Sequence, residues 1–239
     1  MGQDFLSDVE LYYLEKVSNN ELEISNEEFH HIKDVMRHKA DDEFYITDGK
    51  GFIYHSSIQA IEKNKLICKI LSSVHYKNKF SNIIFCIPRL KNTGHFEFAL
   101  EKCVELGITK FIVFDSTRTV AKGEKVERWQ KVLLSAMKQS LRAWLPKISY
   151  TKYFADILKQ DGTKIIFDQN SENTFHNFLL TDHRSLITDN CFFIFGPEGG
   201  FSQEESKAMS VECRVKLTDN RLRSETAIVT AASILTTTL

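Results

Sequence analysis

Residues 192–205 read Phe-Phe-Ile-Phe-Gly-Pro-Glu-Gly-Gly-Phe-Ser-Gln-Glu-Glu, and this is the most informative stretch of the chain. The continuous apolar run from Cys191 to Phe195 is typical of a strand covered on both faces, as in a parallel sheet. Three glycines follow around a Pro-Glu pair, and a ligand can approach the main chain closely at glycine. Ser202 and Glu205 have the spacing of a capping box, so we expect the next helix to begin at about Gln203.

The common nucleotide-binding signatures are missing from this chain. No Lys-Ser or Lys-Thr pair follows the glycines, and no Gly-x-Gly-x-x-Gly pattern occurs anywhere. The loop therefore predicts a ligand held by main-chain groups, and an ordinary strand-to-helix turn remains the alternative while the loop is taken alone.

A second irregular segment follows about twenty residues later. It reads Thr-Asp-Asn-Arg-Leu-Arg-Ser-Glu-Thr-Ala over 218–227, between an apolar stretch that ends at Leu217 and an Ala-rich helix that continues to Leu235. Ser224 is expected to be the N-cap of that helix, with Glu225 in its first turn, where the helix dipole favours a carboxylate. A solvated basic loop is the alternative interpretation of the two arginines.

Together the two segments resemble the cofactor-binding loops of the SPOUT methyltransferases. They are most similar to those of the 16S ribosomal RNA uridine-N3 methyltransferase family, RsmE type, and further segments agree with that family in the same order. These are Val35-Met36-Arg37 with Asp48-Gly49-x-Gly51, the helix end Lys102-x-x-Glu105-Leu106-Gly107, and Lys138-Gln139-Ser140-x-Arg142 followed by Pro146. One departure is the start, Met1-Gly2-Gln3-Asp4-Phe5, which lacks the arginine that the family usually has there.

The resemblance implies an α/β fold with two domains. Residues 1–74 should form a small PUA-like β-barrel that binds RNA, and residues 75–239 a SPOUT-type parallel sheet with helices on both faces and a C-terminal trefoil knot. The patterns agree, because short alternating stretches between Glu43 and Leu71 are typical of an antiparallel barrel, and strands alternate with helices afterwards. The knot is implied by the resemblance alone.

The resemblance also implies the reaction and its participants. These are S-adenosylmethionine as methyl donor, N3 of a specific uridine in 16S ribosomal RNA or the small ribosomal subunit as acceptor, and a homodimer as the active form. A SPOUT enzyme that acts on ribose 2′-OH or on transfer RNA is one alternative. A non-catalytic RNA-binding factor of ribosome assembly is another, and it predicts no cofactor binding.

Both loops supply the residues that the resemblance assigns to S-adenosylmethionine. They are Phe195, Gly196, Pro197, Glu198, Gly199, Gly200, Leu217, Leu222, Arg223, Thr226 and Ala227.

Catalysis requires the imide proton of uridine to leave N3. Arginine cannot accept it, so Arg223, together with Arg221 and Arg142, is assigned to electrostatic stabilisation of the uridine oxygens or of RNA phosphate. Glu198 and Glu225 are the two candidate proton acceptors in the motifs. Each also has a structural alternative, since Glu198 can brace its own loop and Glu225 can favour a helix start.

Charge is distributed unevenly along the chain, although the net charge is only −1. Residues 1–43 hold twelve acidic and four basic side chains, whereas residues 118–152 hold nine basic and two acidic ones, with Trp129 and Trp144 among them. Such a basic segment is typical of a surface that follows a phosphate backbone, and a solvated helix face is the alternative. The predicted RNA-binding residues are Arg37, Arg118, Lys138, Gln139, Arg142 and Arg221.

Composition limits the class of protein. The 239 residues are 42% hydrophobic, which is ample for a packed core, and no apolar run is long enough to cross a bilayer or resembles a signal peptide. We therefore expect a cytoplasmic protein that does not enter the membrane. The five cysteines are scattered singly without zinc spacing, so we expect them to be reduced and buried, and we expect no metal.

Overall fold

The computed structural model describes residues 9–17, 21–181, 189–209 and 213–239. Contacts divide the chain into two compact units. The first unit contains the residues up to Asn78 together with Met137–Leu145, and the second contains Lys79–Ala136 and Pro146–Leu239. The first five residues, where the chain departs from the family, lie outside the described ranges.

The first unit is built on a five-stranded sheet. Its strands are β1 (Leu11–Tyr13), β2 (Glu21–Ser25), β3 (Glu43–Thr47), β4 (Phe52–Ile61) and β5 (Lys65–His75), in the order β1-β3-β4-β5-β2. The predicted antiparallel succession of β3, β4 and β5 is present, whereas β1 pairs with β3 in parallel. Helix α1 (Asn26–His30) continues into a π-helical turn over His31–Val35.

A close approach explains why residues 137–145 belong to the first unit. Gly51 has φ +107°, and a Cβ atom built on it would lie 2.6 Å from the Trp144 ring. The amide of Gly51 donates to the carbonyl of Ala143 at 2.9 Å, and the hydroxyl of Thr47 donates to the same carbonyl at 3.2 Å. Only glycine fits at position 51, because both the backbone conformation and the indole exclude a side chain.

The second unit is built on a six-stranded sheet whose pairs are all parallel. The strands are β6 (Ile83–Pro88), β7 (Lys110–Phe114), β8 (Lys147–Thr151), β9 (Thr163–Phe167), β10 (Cys191–Ile194) and β11 (Cys213–Val215), in the order β11-β9-β10-β6-β7-β8. The helices described from here on are α2 (Thr93–Glu105), α3 (Val126–Gln139), α4 (Ala155–Leu158), α5 (Phe175–Thr181), α6 (Gln203–Ala208) and α7 (Ser224–Thr238). The end of α3, from Met137 on, belongs to the first unit. Every residue of β6 and β10 is buried, as the apolar runs predict, and the α/β fold with a parallel sheet is confirmed.

Two local predictions were wrong. Ser224 is not an N-cap, because α7 begins at Ser224 itself with Arg223 in the cap position, and the Ser224 hydroxyl donates to the carbonyl of Gly196 at 3.2 Å. Cys213 is half-buried at the sheet edge, whereas the other four cysteines are buried. Burial raises the pKa of the Cys68 thiol to about 12 and also raises that of Cys86.

The described ranges lack both a membrane-spanning helix and a metal-binding cluster. Among those residues, no helix has the length and apolar character needed to cross a membrane. The same ranges contain no group of three or more His, Cys, Asp or Glu side chains arranged to hold a metal ion.

Candidate functional site

The second unit holds a cavity of about 1120 Å³ at the carboxyl edge of its sheet. Its walls come from the segments that follow four neighbouring strands, β11, β9, β10 and β6. In open α/β sheets, ligands bind in the crevice outside the carboxyl ends of the strands. The fold therefore brings both sequence motifs to the usual ligand position.

Most residues predicted to bind the cofactor line this cavity. They are Phe195, Gly196, Pro197, Glu198, Gly200, Leu217, Leu222, Arg223 and Ala227. Two others lie elsewhere. Gly199 packs against Arg118 and its carbonyl accepts a hydrogen bond from the guanidinium at 3.2 Å, while Thr226 is exposed on the first turn of α7.

The glycine-rich loop is a tight turn that leaves main-chain amides available. The amide of Gly200, at φ +70°, donates to the carbonyl of Pro197 at 2.8 Å. At Gly196 a Cβ atom would lie 3.3 Å from the Phe201 ring, so a larger residue would crowd the loop. Within the described chain, the amides of Gly196 and Leu222 donate to no protein group. Both residues line the cavity, so these donors can serve a ligand.

The helix after the glycine-rich loop fixes the loop's position. Ser202 and Glu205 form the predicted capping box at the start of α6. The Glu205 carboxylate also accepts hydrogen bonds from the Ser116 hydroxyl at 3.0 Å and from the Thr117 amide at 2.9 Å. Burial opposes ionisation of Glu205, but these hydrogen bonds outweigh it and hold the pKa of the carboxyl below its usual value.

The three predicted catalytic residues all line the cavity but have different surroundings. Arg223 is exposed. Glu198 is also exposed, and its carboxylate accepts a hydrogen bond from the amide of Lys91 at 3.4 Å. The Glu225 side chain is only 13% exposed, and its Oε1 lies 3.3 Å from Nδ1 of His95.

The predicted RNA-binding residues are distributed over both units. In the first unit, Arg37, Gln139 and Arg142 are exposed, but Lys138 forms an ion pair with Glu28 at 2.6 Å. In the second unit, Arg118 is exposed while it braces Gly199, and the exposed Arg221 lines the cavity.

The comparisons with known proteins agree with this geometry. The family model described as RNA methyltransferase domain matches residues 77–236, and the model described as RNA methyltransferase PUA domain matches residues 24–71. The first match alone covers more than half of the chain. The chain belongs to the RNA methyltransferase family.

Individual relatives of this RNA methyltransferase cover nearly the whole chain. The ribosomal RNA small subunit methyltransferase E of Bacillus subtilis (strain 168) is 27% identical over 88% of this chain and 87% of its own length. The protein of the same name from Aquifex aeolicus (strain VF5) is 27% identical over 94% and 98%. A crystal structure of ribosomal RNA small subunit methyltransferase E from Neisseria gonorrhoeae, bound to S-adenosyl methionine, has a TM-score of 0.83 at 25% identity and covers 96% of this chain and 97% of that one. The predicted RsmE-type resemblance is confirmed.

Several residues of the RNA methyltransferase cavity were not predicted from the sequence. They include Lys91, Asn92 and His95 after β6, Asp168 after β9, and Arg214 on β11, whose guanidinium pairs with Asp168 at 2.7 Å. The available signal was their position at or near the carboxyl ends of apolar strands, where α/β proteins collect binding residues. That signal selects whole loops, so it could not single out one side chain.

Proposed function

We propose that the protein transfers the methyl group of S-adenosylmethionine to N3 of a specific uridine in 16S ribosomal RNA of the small ribosomal subunit. The observation that best supports this is the junction of the two family motifs at one cavity. There the Ser224 hydroxyl at the start of α7 is hydrogen-bonded to Gly196 of the glycine-rich loop. The names of its relatives indicate methylation of small-subunit ribosomal RNA by those proteins. The choice of uridine N3 as the acceptor atom is what the RsmE-type resemblance implies.

The residues of the cavity fit S-adenosylmethionine. The partly exposed apolar side chains of Phe167, Leu217 and Leu222 suit the adenine ring. The open amides of Gly196 and Leu222 can donate to its acceptors. When bound, the cofactor supplies a methyl group on a cationic sulfonium, so the transfer requires no metal.

The chain itself must position the uridine and stabilise the charge that develops on it. Alignment of nucleophile and methyl group can lower a barrier by roughly 7 to 11 kcal/mol at best. Arg223 lines the cavity and is suited to hold negative charge on a uridine oxygen, and the neighbouring Arg221 is suited to an oxygen or a phosphate.

The first unit, with its match to the PUA domain, is proposed to bind ribosomal RNA through exposed cations such as Arg37. A homodimer is proposed as the active form and the cytoplasm as the location. The trefoil knot at the C-terminal end remains a prediction.

A comparison of methyl acceptors tests the proposal. Purified protein and labelled S-adenosylmethionine are mixed with small subunits, large subunits or transfer RNA from cells that lack the gene. We expect incorporation into small subunits alone, and loss of most of it with Arg223→Ala. Preferred labelling of transfer RNA or large subunits would contradict the assigned substrate, and no binding of S-adenosylmethionine at all would contradict the enzyme.

A further inference from the structure

His95 and Glu225 meet on the wall of the cavity. His95 lies in the first turn of α2, where its amide is capped by the Asn92 side chain at 3.1 Å, and Glu225 lies in the first turn of α7. Their side chains approach to 3.3 Å between Nδ1 and Oε1, and both residues line the cavity. Two helices of the second unit thus bring an imidazole and a mostly buried carboxylate to the place where the motifs predict catalysis.

The contact with Glu225 determines which ring nitrogen of His95 can accept a proton. A carboxylate beside Nδ1 favours the tautomer that has its proton on Nδ1, which leaves the lone pair on Nε2. In the described part of the chain, Nε2 of His95 has no hydrogen-bond partner. The arrangement of carboxylate, imidazole and open nitrogen is the one that general bases use, and such contacts are often long before the substrate binds.

The other ionisable groups of the cavity are less suitable as proton acceptors. Lys91, Arg221 and Arg223 are cations, and arginine does not lose its proton at ordinary pH. Asp168 is paired with Arg214 at 2.7 Å. The Glu198 carboxylate accepts a hydrogen bond from the Lys91 amide, which is the loop-bracing role.

We propose that His95 is the general base of the methyl transfer and that Glu225 positions it, an inference that rests on the proposed function. The N3 proton of uridine passes to Nε2 of His95, the N3 lone pair forms the bond to the methyl carbon, and the electron pair of the broken carbon–sulfur bond stays on sulfur. Glu225 stabilises the imidazolium that results, and the proton leaves to water when the product departs. His95 is therefore a catalytic residue and Glu225 a positioning residue.

Substitution of His95 tests the first assignment. His95→Gln keeps a polar side chain that cannot take up a proton, so we expect kcat to fall by about 100-fold or more, which is within the usual range for a general base. The dissociation constant of S-adenosylmethionine, measured separately by calorimetry, should change less than threefold. His176→Ala, an exposed histidine on α5 outside the cavity, is the matched control and should keep wild-type kinetics.

Chemical rescue separates a lost base from a damaged site. His95→Ala removes the imidazole from a cavity-lining position, so added imidazole should restore part of its activity in proportion to concentration. Imidazole should leave the His176→Ala control unaffected. A His95→Gln enzyme that keeps kcat within twofold of wild type, or a His95→Ala enzyme that imidazole does not rescue, would overturn the assignment.

Substitution of Glu225 tests the positioning role. Glu225→Gln should lower kcat by about 10- to 100-fold with little change in KM, the range known for carboxylates that orient a metal-bound imidazole, and Glu225→Asp should recover part of the loss. Equal losses in kcat and cofactor affinity would indicate a purely structural role. Wild-type transfer to uridine N3 is measured in the same series, so failure of the proposed function is distinguished from failure of the base assignment.

Discussion

Glu198 joins the glycine-rich loop to the segment that follows β6. The motif offers it as a proton acceptor, but its carboxylate is exposed and accepts a hydrogen bond from the Lys91 amide. Because a glutamine oxygen can still accept that bond, we expect Glu198→Gln to keep most of the wild-type turnover. Glu198→Ala should lower cofactor affinity and kcat/KM by similar factors, since the loop loses its brace.

Steady-state kinetics combined with calorimetry of cofactor binding measures both effects. A 100-fold loss of kcat in Glu198→Gln with unchanged cofactor affinity would instead identify Glu198 as the base, and His95 would lose that role.

Gly51 gives a prediction about stability. Its φ of +107° opposes any side chain, and so does the indole of Trp144, which would lie 2.6 Å from a Cβ atom at this position. We expect Gly51→Ala to lower the free energy of unfolding by about 2 kcal/mol or more. Gly123→Ala is the matched control, because Gly123 also has positive φ, +89°, but a Cβ there meets nothing within 4 Å. Equal losses for the two variants in urea denaturation would show that the contact with Trp144 is unimportant.

The sequence could predict the residues of the cavity wall only where they are consecutive in the chain. The glycine-rich loop and the Arg221–Ala227 segment identify most of the cavity wall, because consecutive residues necessarily stay together. The pairing of His95 with Glu225 depends on how α2 and α7 pack beside the sheet, and neither residue's neighbours in sequence indicate that pairing. Gly199 and Thr226 belong to the motifs yet lie outside the cavity lining, because adjacent residues of a turn or helix face different directions.

At the scale of elements, α6 begins where the sequence predicts. The capping box of Ser202 and Glu205 is local in sequence, so it could be recognised without knowledge of the fold. The second use of Glu205, as acceptor for Ser116 and Thr117, required the structure, because it joins the segments after β7 and β10. Strand β8 was not predicted, because it is identified mainly by its parallel pairing with β7.

Glu205 makes the stability of the protein depend on pH. Its folded-state pKa lies below the ordinary value of 4.5, so its carboxylate stabilises the folded state above pH 4.5. That contribution is lost as the pH falls below 4.5 and through the folded-state pKa.

Urea denaturation of Glu205→Gln checks this dependence. At pH 7 the variant should be less stable than the wild type by up to about 1 kcal/mol, and the difference should shrink on acidification below pH 4.5. Glu172→Gln, an exposed carboxylate before α5, is the control and should show little difference at either pH. A difference for Glu205→Gln that is the same at pH 7 and pH 3.5 would contradict the role of its charge.

At the scale of the whole molecule, the fold class and the two-part organisation follow from sequence patterns and family resemblance. The grouping of Met137–Leu145 with the first unit does not, because it depends on the fit between Gly51 and Trp144. The sequence shows that charge is distributed unevenly, but only the structure shows which of the basic side chains are already paired with carboxylates. Lys138 belongs to the basic segment but is neutralised by Glu28 at 2.6 Å, whereas Arg37 is exposed.

Arg37 and Lys138 should therefore differ in their effects on RNA binding. Arg37→Gln should weaken binding to ribosomal RNA. It should also make the plot of log association constant against log salt concentration less steep by about one unit, as expected for one lost phosphate contact. Lys138→Gln should change the slope much less and should instead destabilise the protein, because the Glu28 carboxylate, on a side chain only 19% exposed, loses the cation that neutralises it. Filter binding at several salt concentrations measures both slopes. An unchanged slope for Arg37→Gln would remove that residue from the RNA-binding surface.

The identity of the methylated atom distinguishes this reaction from those of the alternative enzymes. The most direct measurement is nucleoside analysis of 16S ribosomal RNA after small subunits from cells lacking the gene have reacted with the purified protein and labelled S-adenosylmethionine. We predict that the label is recovered in N3-methyluridine at a single site. Label in a 2′-O-methylated nucleoside or in another base would contradict the assigned target, and cofactor binding without any transfer would contradict the reaction.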